Sequence, residues 1–203
     1  MRPSCVIALH GLGADGSDLM PLQQMMGMED VPWLFPNAPE LSVTANIGMR
    51  MPAWFDILGF NPTDPVDQQG IALSAARVHA LIDEQVVLGV DASRIVLLGF
   101  SQGGVVALHA ALSGNQCVGA VVGLSTWLPA TDALVSVSAA QQQTPVWLGH
   151  GRFDNIVPMA AHERAKVKLS ELGVRQVVSA SYPMAHSILP EELDDVTAWL
   201  ASL

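Results

Sequence analysis

A serine between glycines has the surroundings in this sequence that most favour chemistry. Ser101 lies in the run Gly99-Phe100-Ser101-Gln102-Gly103, between the apolar stretch 95–98 and a helical pattern. A side chain on a sharp strand-to-helix turn needs small neighbours, because other backbone segments approach closely there. The motif in this context predicts that Ser101 is a nucleophile. An ordinary glycine-rich turn of a βα unit is the alternative.

Such a serine needs a base to take its proton and a third group to orient the base. Asp154 follows the apolar run 146–149, and His186 follows a strand pattern that ends at Tyr182. The order serine, acid, histidine suits this type of turn, and all three follow strands whose carboxyl ends share one edge. We therefore predict a triad of Ser101, Asp154 and His186. A local cap for Asp154 and a loop position for His186 are the alternatives.

The reaction also needs backbone amides that stabilise a developing oxyanion. One amide should come from Gln102, after the nucleophile, where the helix dipole favours negative charge. The second should come from Leu12 in the loop His10-Gly11-Leu12-Gly13. A glycine-rich loop could instead bind phosphate, but its spacing matches neither the dinucleotide fingerprint nor the P-loop.

Other histidines and acids offer weaker sites. A metal site from His10, Asp15 and Asp18, or from His150 and Asp154, lacks the usual ligand spacing, so we expect neither a metal nor a cofactor. The remaining histidines are interpreted as structural: His79 and His109 within helices, His150 beside the acid, and His162 on an exposed helix face.

Short apolar runs alternate with longer segments of helical period, which is typical of βα units and predicts a mostly parallel sheet. The predicted strands are 6–9, 33–36, 95–100, 118–124, 146–149 and 177–182. The predicted helices are 17–26, 68–88, 102–112, 159–172 and 191–201. The stretch 37–65 lacks a convincing pattern and is interpreted as a loop at the rim of a pocket, because long ordered loops are usually functional.

Bulk properties limit the classes of function. The 203 residues suit one domain, 1–203, and 50% are hydrophobic, which is enough for a sizeable core. A formal net charge of −10 with scattered cations argues against nucleic acid and anionic lipid as partners. The absence of a long apolar run or signal-like start predicts a soluble, cytoplasmic protein. Cys5 and Cys117 are expected to be buried thiols.

Several blocks together resemble the phospholipase/carboxylesterase family of α/β-hydrolases, which includes carboxylesterases and acyl-protein thioesterases. The resemblance runs nearly end to end. The blocks are Leu9 to Gly13, Met51 to Asp56, Gly99 to Gly104, Leu124 to Pro129, His150 to Asp154 with Val157-Pro158, and Met184 to Ser187.

The resemblance implies an α/β-hydrolase fold with six or seven strands flanked by helices on both faces. It also implies the same triad, the same two amides, an acyl pocket beside the Trp-Phe-Asp segment, and a homodimer through an apolar rim. Family members carry a longer segment before the first strand, so it is open whether their N-terminal edge strand is present here. The segment 58–69, which should cover the active site, is a polar run in this chain.

Apolar side chains near the motifs are candidates for substrate binding, since small-molecule sites are mostly apolar. They are Trp54, Leu58, Trp127 and Val157, and core packing is the alternative for each.

The sequence thus predicts a serine carboxylesterase that hydrolyses short to medium acyl esters through an acyl-enzyme. An acyl-protein thioesterase or lysophospholipase is the alternative, because only the leaving group differs. The expected partners are a small ester or thioester, or an acylated protein. A hydrolase fold that binds an acyl ligand without catalysis is an alternative of another class.

Overall fold

The computed structural model describes residues 1–59 and 64–203, and its centre is a six-stranded parallel sheet. The strands are β1 (Cys5–Leu9), β2 (Trp33–Leu34), β5 (Ile95–Phe100), β6 (Ala120–Leu124), β7 (Val146–Gly151) and β8 (Val177–Tyr182). Their order across the sheet is β2-β1-β5-β6-β7-β8. A separate antiparallel hairpin is formed by β3 (Glu40–Val43) and β4 (Met49–Pro52). The predicted α/β-hydrolase sheet is confirmed.

Helices cover both faces of this sheet. They are α1 (Pro21–Met25), α2 (Gln68–Val87), α3 (Gln102–Ser113), α4 (Met159–Glu171) and α5 (Pro190–Ser202). Successive strand side chains point to opposite faces, so Ile7 packs in a core with α2, α3 and α4, whereas Val6 packs in a second core with α1 and α5. Burial on both faces explains why β1 and β6 are continuously apolar or small.

The register of the sheet brings the functional loops together. Leu9 of β1 pairs with Gly99 of β5, and Leu124 of β6 pairs with both Phe100 and Gly149. The segments that follow β1, β5, β6, β7 and β8 therefore leave the sheet at one edge, the carboxyl edge, where open α/β sheets bind ligands.

Two of the sequence predictions were wrong in detail. The stretch 37–65 is not all loop, because it contains the β3–β4 hairpin; the part at 60–63 lies outside the described residues. The predicted helix 17–26 is a 3-10 turn (Gly16–Leu19) followed by α1, whose first residue is Pro21. Proline has no backbone N–H to continue a preceding helix and is favoured at a helix start.

The thiols differ in their surroundings. Cys5 is buried in β1, as predicted, whereas Cys117 is only half-buried, and both are free. Within the two described ranges, no helix combines the length and the apolar character needed to cross a membrane.

Candidate active site

Ser101 occupies a strained turn between β5 and α3. Its φ is 53° and its ψ is −118°, which is rare for a residue with a side chain. The turn is held by the Ser101 N–H, which donates to the Leu124 carbonyl at 2.9 Å, and by the Thr126 hydroxyl, which donates to the Ser101 carbonyl at 2.7 Å. A Cβ at Gly103 would lie 2.1 Å from the Leu9 carbonyl oxygen, so only glycine fits there.

The structure brings the side chains of Ser101, His186 and Asp154 into one hydrogen-bonded chain. His186 Nε2 lies 2.9 Å from Ser101 Oγ, and His186 Nδ1 lies 2.7 Å from Asp154 Oδ2. An ionised carboxylate only accepts, so the histidine carries its proton on Nδ1 and leaves Nε2 to accept from the serine hydroxyl. The Asp154 carboxylate is fully buried, whereas 16% of the His186 side chain is exposed.

The loop after β7 orients this carboxylate. The second oxygen of Asp154 accepts hydrogen bonds from the N–H groups of Ile156 at 2.9 Å and Val157 at 2.8 Å. A Cβ on Gly151 would lie 2.3 Å from the Ala185 carbonyl oxygen, so glycine lets this loop pack closely against the one that carries His186. Both loops are thereby fixed relative to each other.

Two further histidines lie behind the acid: His150, which the sequence analysis placed beside it, and His162, whose place in the site was missed. His150 is fully buried and hydrogen-bonds through Nε2 to the Val157 carbonyl at 2.7 Å. The ring of His162 lies 5.0 Å from that of His150, and His162 Nε2 is 2.8 Å from the Ser179 hydroxyl. The prediction of an exposed face for His162 was wrong, because its side chain is buried; this burial lowers its pKa to about 4.

The two predicted oxyanion amides lie on neighbouring segments at the carboxyl edge. Leu12 follows β1, and Gln102 is the first residue of α3. Within residues 1–59 and 64–203, no protein acceptor hydrogen-bonds to either N–H. Both amides are therefore free to donate to a ligand oxygen, and the Gln102 amide lies at the positive end of a helix dipole.

The four predicted substrate-binding residues have different environments. Trp54 lies in the larger core with 2% exposure, and its indole N–H donates to the His10 carbonyl at 2.8 Å. Leu58 is exposed, Trp127 is half-buried against the Phe55 ring, and Val157 is buried in the Asp154 loop. These contacts favour the packing alternative for Trp54, while pocket lining stays a prediction for all four residues.

Both ring nitrogens of His10 hydrogen-bond to the backbone, so neither is free to bind a ligand. Its Nε2 accepts from the Ala38 N–H at 3.0 Å and its Nδ1 lies 2.7 Å from the Gly11 carbonyl, so its proton is on Nδ1. In the part of the chain that the structure describes, no three histidine, cysteine, aspartate or glutamate side chains form a group that could hold a metal ion.

Comparisons with known proteins identify the family to which the chain belongs. The sequence profile of the phospholipase/carboxylesterase family matches residues 2–203. Acyl-protein thioesterase 1 of Gibberella zeae is 39% identical over 208 residues, which cover 96% of this chain and 88% of that protein.

Solved structures extend the likeness to the fold. The crystal structure of Arabidopsis thaliana SOBER1 has a TM-score of 0.93 at 31% identity and covers 100% of this chain and 99% of its own. That of Zea mays acyl-protein thioesterase 2 has a TM-score of 0.83 at 28% identity and covers 100% of this chain and 94% of its own. The chain therefore belongs to the phospholipase/carboxylesterase family, a family of serine hydrolases with the α/β-hydrolase fold.

Proposed function

We propose that this protein hydrolyses carboxylic esters and thioesters through an acyl-enzyme on Ser101. The observation that carries the proposal is the chain of hydrogen bonds from Ser101 Oγ through His186 to Asp154, at 2.9 and 2.7 Å. These distances are within the range needed for proton transfer between nucleophile and base and for orientation of the base.

In the first half of the reaction, Ser101 Oγ attacks the acyl carbon and its proton passes to His186 Nε2. Asp154 holds the imidazole in the right tautomer and stabilises the positive charge that forms on it. The amides of Leu12 and Gln102 donate to the oxyanion of the tetrahedral intermediate. The bond from carbon to the leaving oxygen or sulfur then breaks, and His186 returns the proton to that atom.

In the second half, water takes the place of the leaving group. His186 removes a proton from the water as it attacks the acyl carbon, and a second tetrahedral intermediate uses the same two amides. Collapse of this intermediate releases the carboxylic acid and returns the proton to Ser101 Oγ. Besides the nucleophile Ser101, these steps require only the base His186, held in place by Asp154, and two fixed N–H donors.

A thioester of an acylated protein is the second candidate substrate. The observation in its favour is the 39% identity to a protein named acyl-protein thioesterase 1 over 96% of this chain. The partly exposed His186 side chain and the exposed Leu58 favour access of a large leaving group to the site. A lysophospholipid substrate, a homodimer and a cytoplasmic location remain predictions.

The test is steady-state hydrolysis of p-nitrophenyl esters from acetate to palmitate, with an acyl thioester assayed beside them. We expect Ser101→Ala to lose activity by several orders of magnitude, because the alanine leaves the fold and the oxyanion amides in place but removes the attacking oxygen. Ser113→Ala, at the far end of α3, is the matched control and should keep wild-type activity. Folded wild-type protein without turnover on any substrate would instead favour the acyl-binding module.

A further inference from the structure

The segment 52–55, which begins at the last residue of β4, contacts the loop of the first oxyanion amide on both sides of Leu12. On one side, the Trp54 indole N–H donates to the His10 carbonyl at 2.8 Å. On the other side, the Gly13 N–H donates to the Pro52 carbonyl at 2.8 Å. Hydrogen bonds of His10 and Gly13 with this one segment therefore flank Leu12 on both sides.

The same segment is held by the residue that carries the second amide. The Gln102 side chain is buried and turns towards the backbone of 52–55. Its Oε1 accepts from the Trp54 N–H at 2.8 Å, and its Nε2 donates to the Phe55 carbonyl at 2.8 Å. Both polar atoms of the side chain are therefore used to bind one dipeptide.

The segment itself is anchored independently of the two amides. The Ser74 hydroxyl of α2 donates to the Trp54 carbonyl, and the Ala53 N–H donates to the Pro39 carbonyl at 2.9 Å. The segment is therefore held both by α2 and by the chain before β3. A further contact, with the loop of the first amide itself, is made by the Trp54 ring, which packs 5.2 Å from the ring of His10.

Two oxyanion donors work together only if their spacing is held within about 0.5 Å. β1 and β5, the strands that precede the two amides, pair with each other as far as Leu9 and Gly99. Both amides lie beyond this pair. Beyond the ends of the strands, the loop that carries Leu12 and the turn that carries Gln102 are both hydrogen-bonded to the segment 52–55.

We propose that Trp54 and the side chain of Gln102 are positioning residues that set the spacing of the Leu12 and Gln102 amides through the segment 52–55. The proposal rests on the proposed function and deepens it. It also gives Trp54 a role that differs from pocket lining. A lining residue changes the preference among substrates, whereas a positioning residue changes the rate of the chemical step for all of them.

Two conservative variants test this directly. Trp54→Phe removes the indole N–H and keeps an aromatic ring, and Gln102→Met removes both side-chain hydrogen bonds while the backbone amide remains. We expect each to lower kcat about 10- to 100-fold for every acyl length, with KM within about threefold of wild type. The affinity for a trifluoromethyl ketone analogue, which forms an oxyanion on Ser101, should fall in parallel with kcat/KM.

The control is Trp147→Phe, a tryptophan truncation at a buried position whose indole N–H has no partner in the described residues. It should leave kcat and inhibitor affinity within twofold of wild type. Because Trp54 and Gln102 act through one segment, the double variant should lose less activity than the product of the two single losses. If Trp54→Phe does not fold, Gln102→Met carries the test alone.

The outcomes separate this proposal from the proposed function. If Ser101→Ala abolishes turnover while both positioning variants keep kcat within twofold of wild type, the positioning role is wrong and the proposed function stands. A loss that appears in KM and depends on chain length would assign Trp54 to the pocket and overturn the positioning role. A wild-type protein without turnover would overturn both.

Discussion

His150 lies directly behind Asp154: its Nε2 is 3.5 Å from Asp154 Oδ2, and neither side chain is exposed to solvent. Burial lowers the pKa of His150, so its ring is neutral near pH 7. The Asp154 carboxylate therefore faces a neutral ring on one side and His186 on the other. Its negative charge is left to stabilise the imidazolium that forms on His186.

This relationship predicts that His150 supports the acid without titrating in the reaction. His150→Phe would leave the Val157 carbonyl without its donor and should lower the free energy of unfolding by about 1–3 kcal/mol. It should also lower kcat roughly 10-fold, because the loop that orients Asp154 is loosened. Urea denaturation and ester hydrolysis measure the two effects.

His79→Phe is the matched control, since His79 bonds to a backbone carbonyl of α3 at 2.9 Å and lies outside the site. It should lose stability but keep kcat. Equal losses of kcat in the two variants would show that His150 has no specific relation to Asp154.

Close backbone approach at the Ser101 turn predicts that Gly103 tolerates no side chain. Gly103→Ala places a Cβ 2.1 Å from the Leu9 carbonyl, and we expect a loss of at least about 3 kcal/mol in stability or no folded protein. Gly27→Ala is the control, because its Cβ would meet nothing within 4 Å and only the positive φ of 60° opposes it, at about 1 kcal/mol. Thermal unfolding of both variants compares the effect of a Cβ clash at Gly103 with the effect of a positive φ at Gly27. Similar melting temperatures for the two variants would contradict the clash.

A buried carboxyl in α5 predicts a pH dependence of stability. Burial raises the pKa of Glu192 to about 8, and the charge of Asp195 adds to the rise. Between the unfolded value near 4.3 and about 8, the folded protein keeps a proton that the unfolded chain releases, so this group makes stability fall as pH rises. Above pH 8 both states are ionised and the effect levels off.

Glu192→Gln should therefore stabilise the protein relative to wild type by an amount that grows from pH 5 to pH 8. The expected gain is on the order of 1 kcal/mol or more, since one unit of pKa is worth about 1.4 kcal/mol. Chemical denaturation at several pH values provides the measurement. A difference between the two proteins that does not change with pH would show that Glu192 is ionised in the folded state.

The substrate-binding predictions that can be tested most directly concern the half-buried Trp127 and the exposed Leu58. Trp127 lies edge-on to Phe55 with ring centroids 6.3 Å apart, and Leu58 is exposed. If they line the acyl pocket, Trp127→Ala and Leu58→Ala should shift the preferred acyl length by changing kcat/KM about 10-fold or more for long chains. Leu73→Ala, on the exposed face of α2, is the control. An unchanged profile in both variants would place the pocket elsewhere.

Much of the fold could be predicted because buried parallel strands leave a strong signal. The strand 95–100 agrees at both ends with β5, which is buried along nearly its whole length. The strand 177–182 also agrees with β8 at both ends, although β8 is an edge strand in which only Tyr182 is buried, since turn residues flank the run. The β3–β4 hairpin was missed because Glu40–Val43 and Met49–Pro52 are short and largely exposed, and neither shows a continuous apolar run. A hairpin outside the core has little apolar pattern to reveal it.

The candidate site, like the fold, could be predicted from the sequence only in part. Ser101, Asp154 and His186 could be predicted to meet, because each follows a strand and the order of the chain limits the partners. The roles of Gln102 and Trp54 in joining two loops could not, since they depend on contacts between residues 48 positions apart. Burial of His162 was within reach, because Ala165 and Leu169 continue the same helical stripe.

Covalent labelling of the activated serine tests the central claim most directly. A fluorophosphonate that reacts with activated serines is incubated with wild type, Ser101→Ala and His186→Ala, and the adduct is located by peptide mass spectrometry. We predict one adduct per chain on Ser101 in wild type, none in Ser101→Ala, and labelling slowed by at least about 100-fold in His186→Ala. An unlabelled wild-type protein, or an adduct on another residue, would contradict the account.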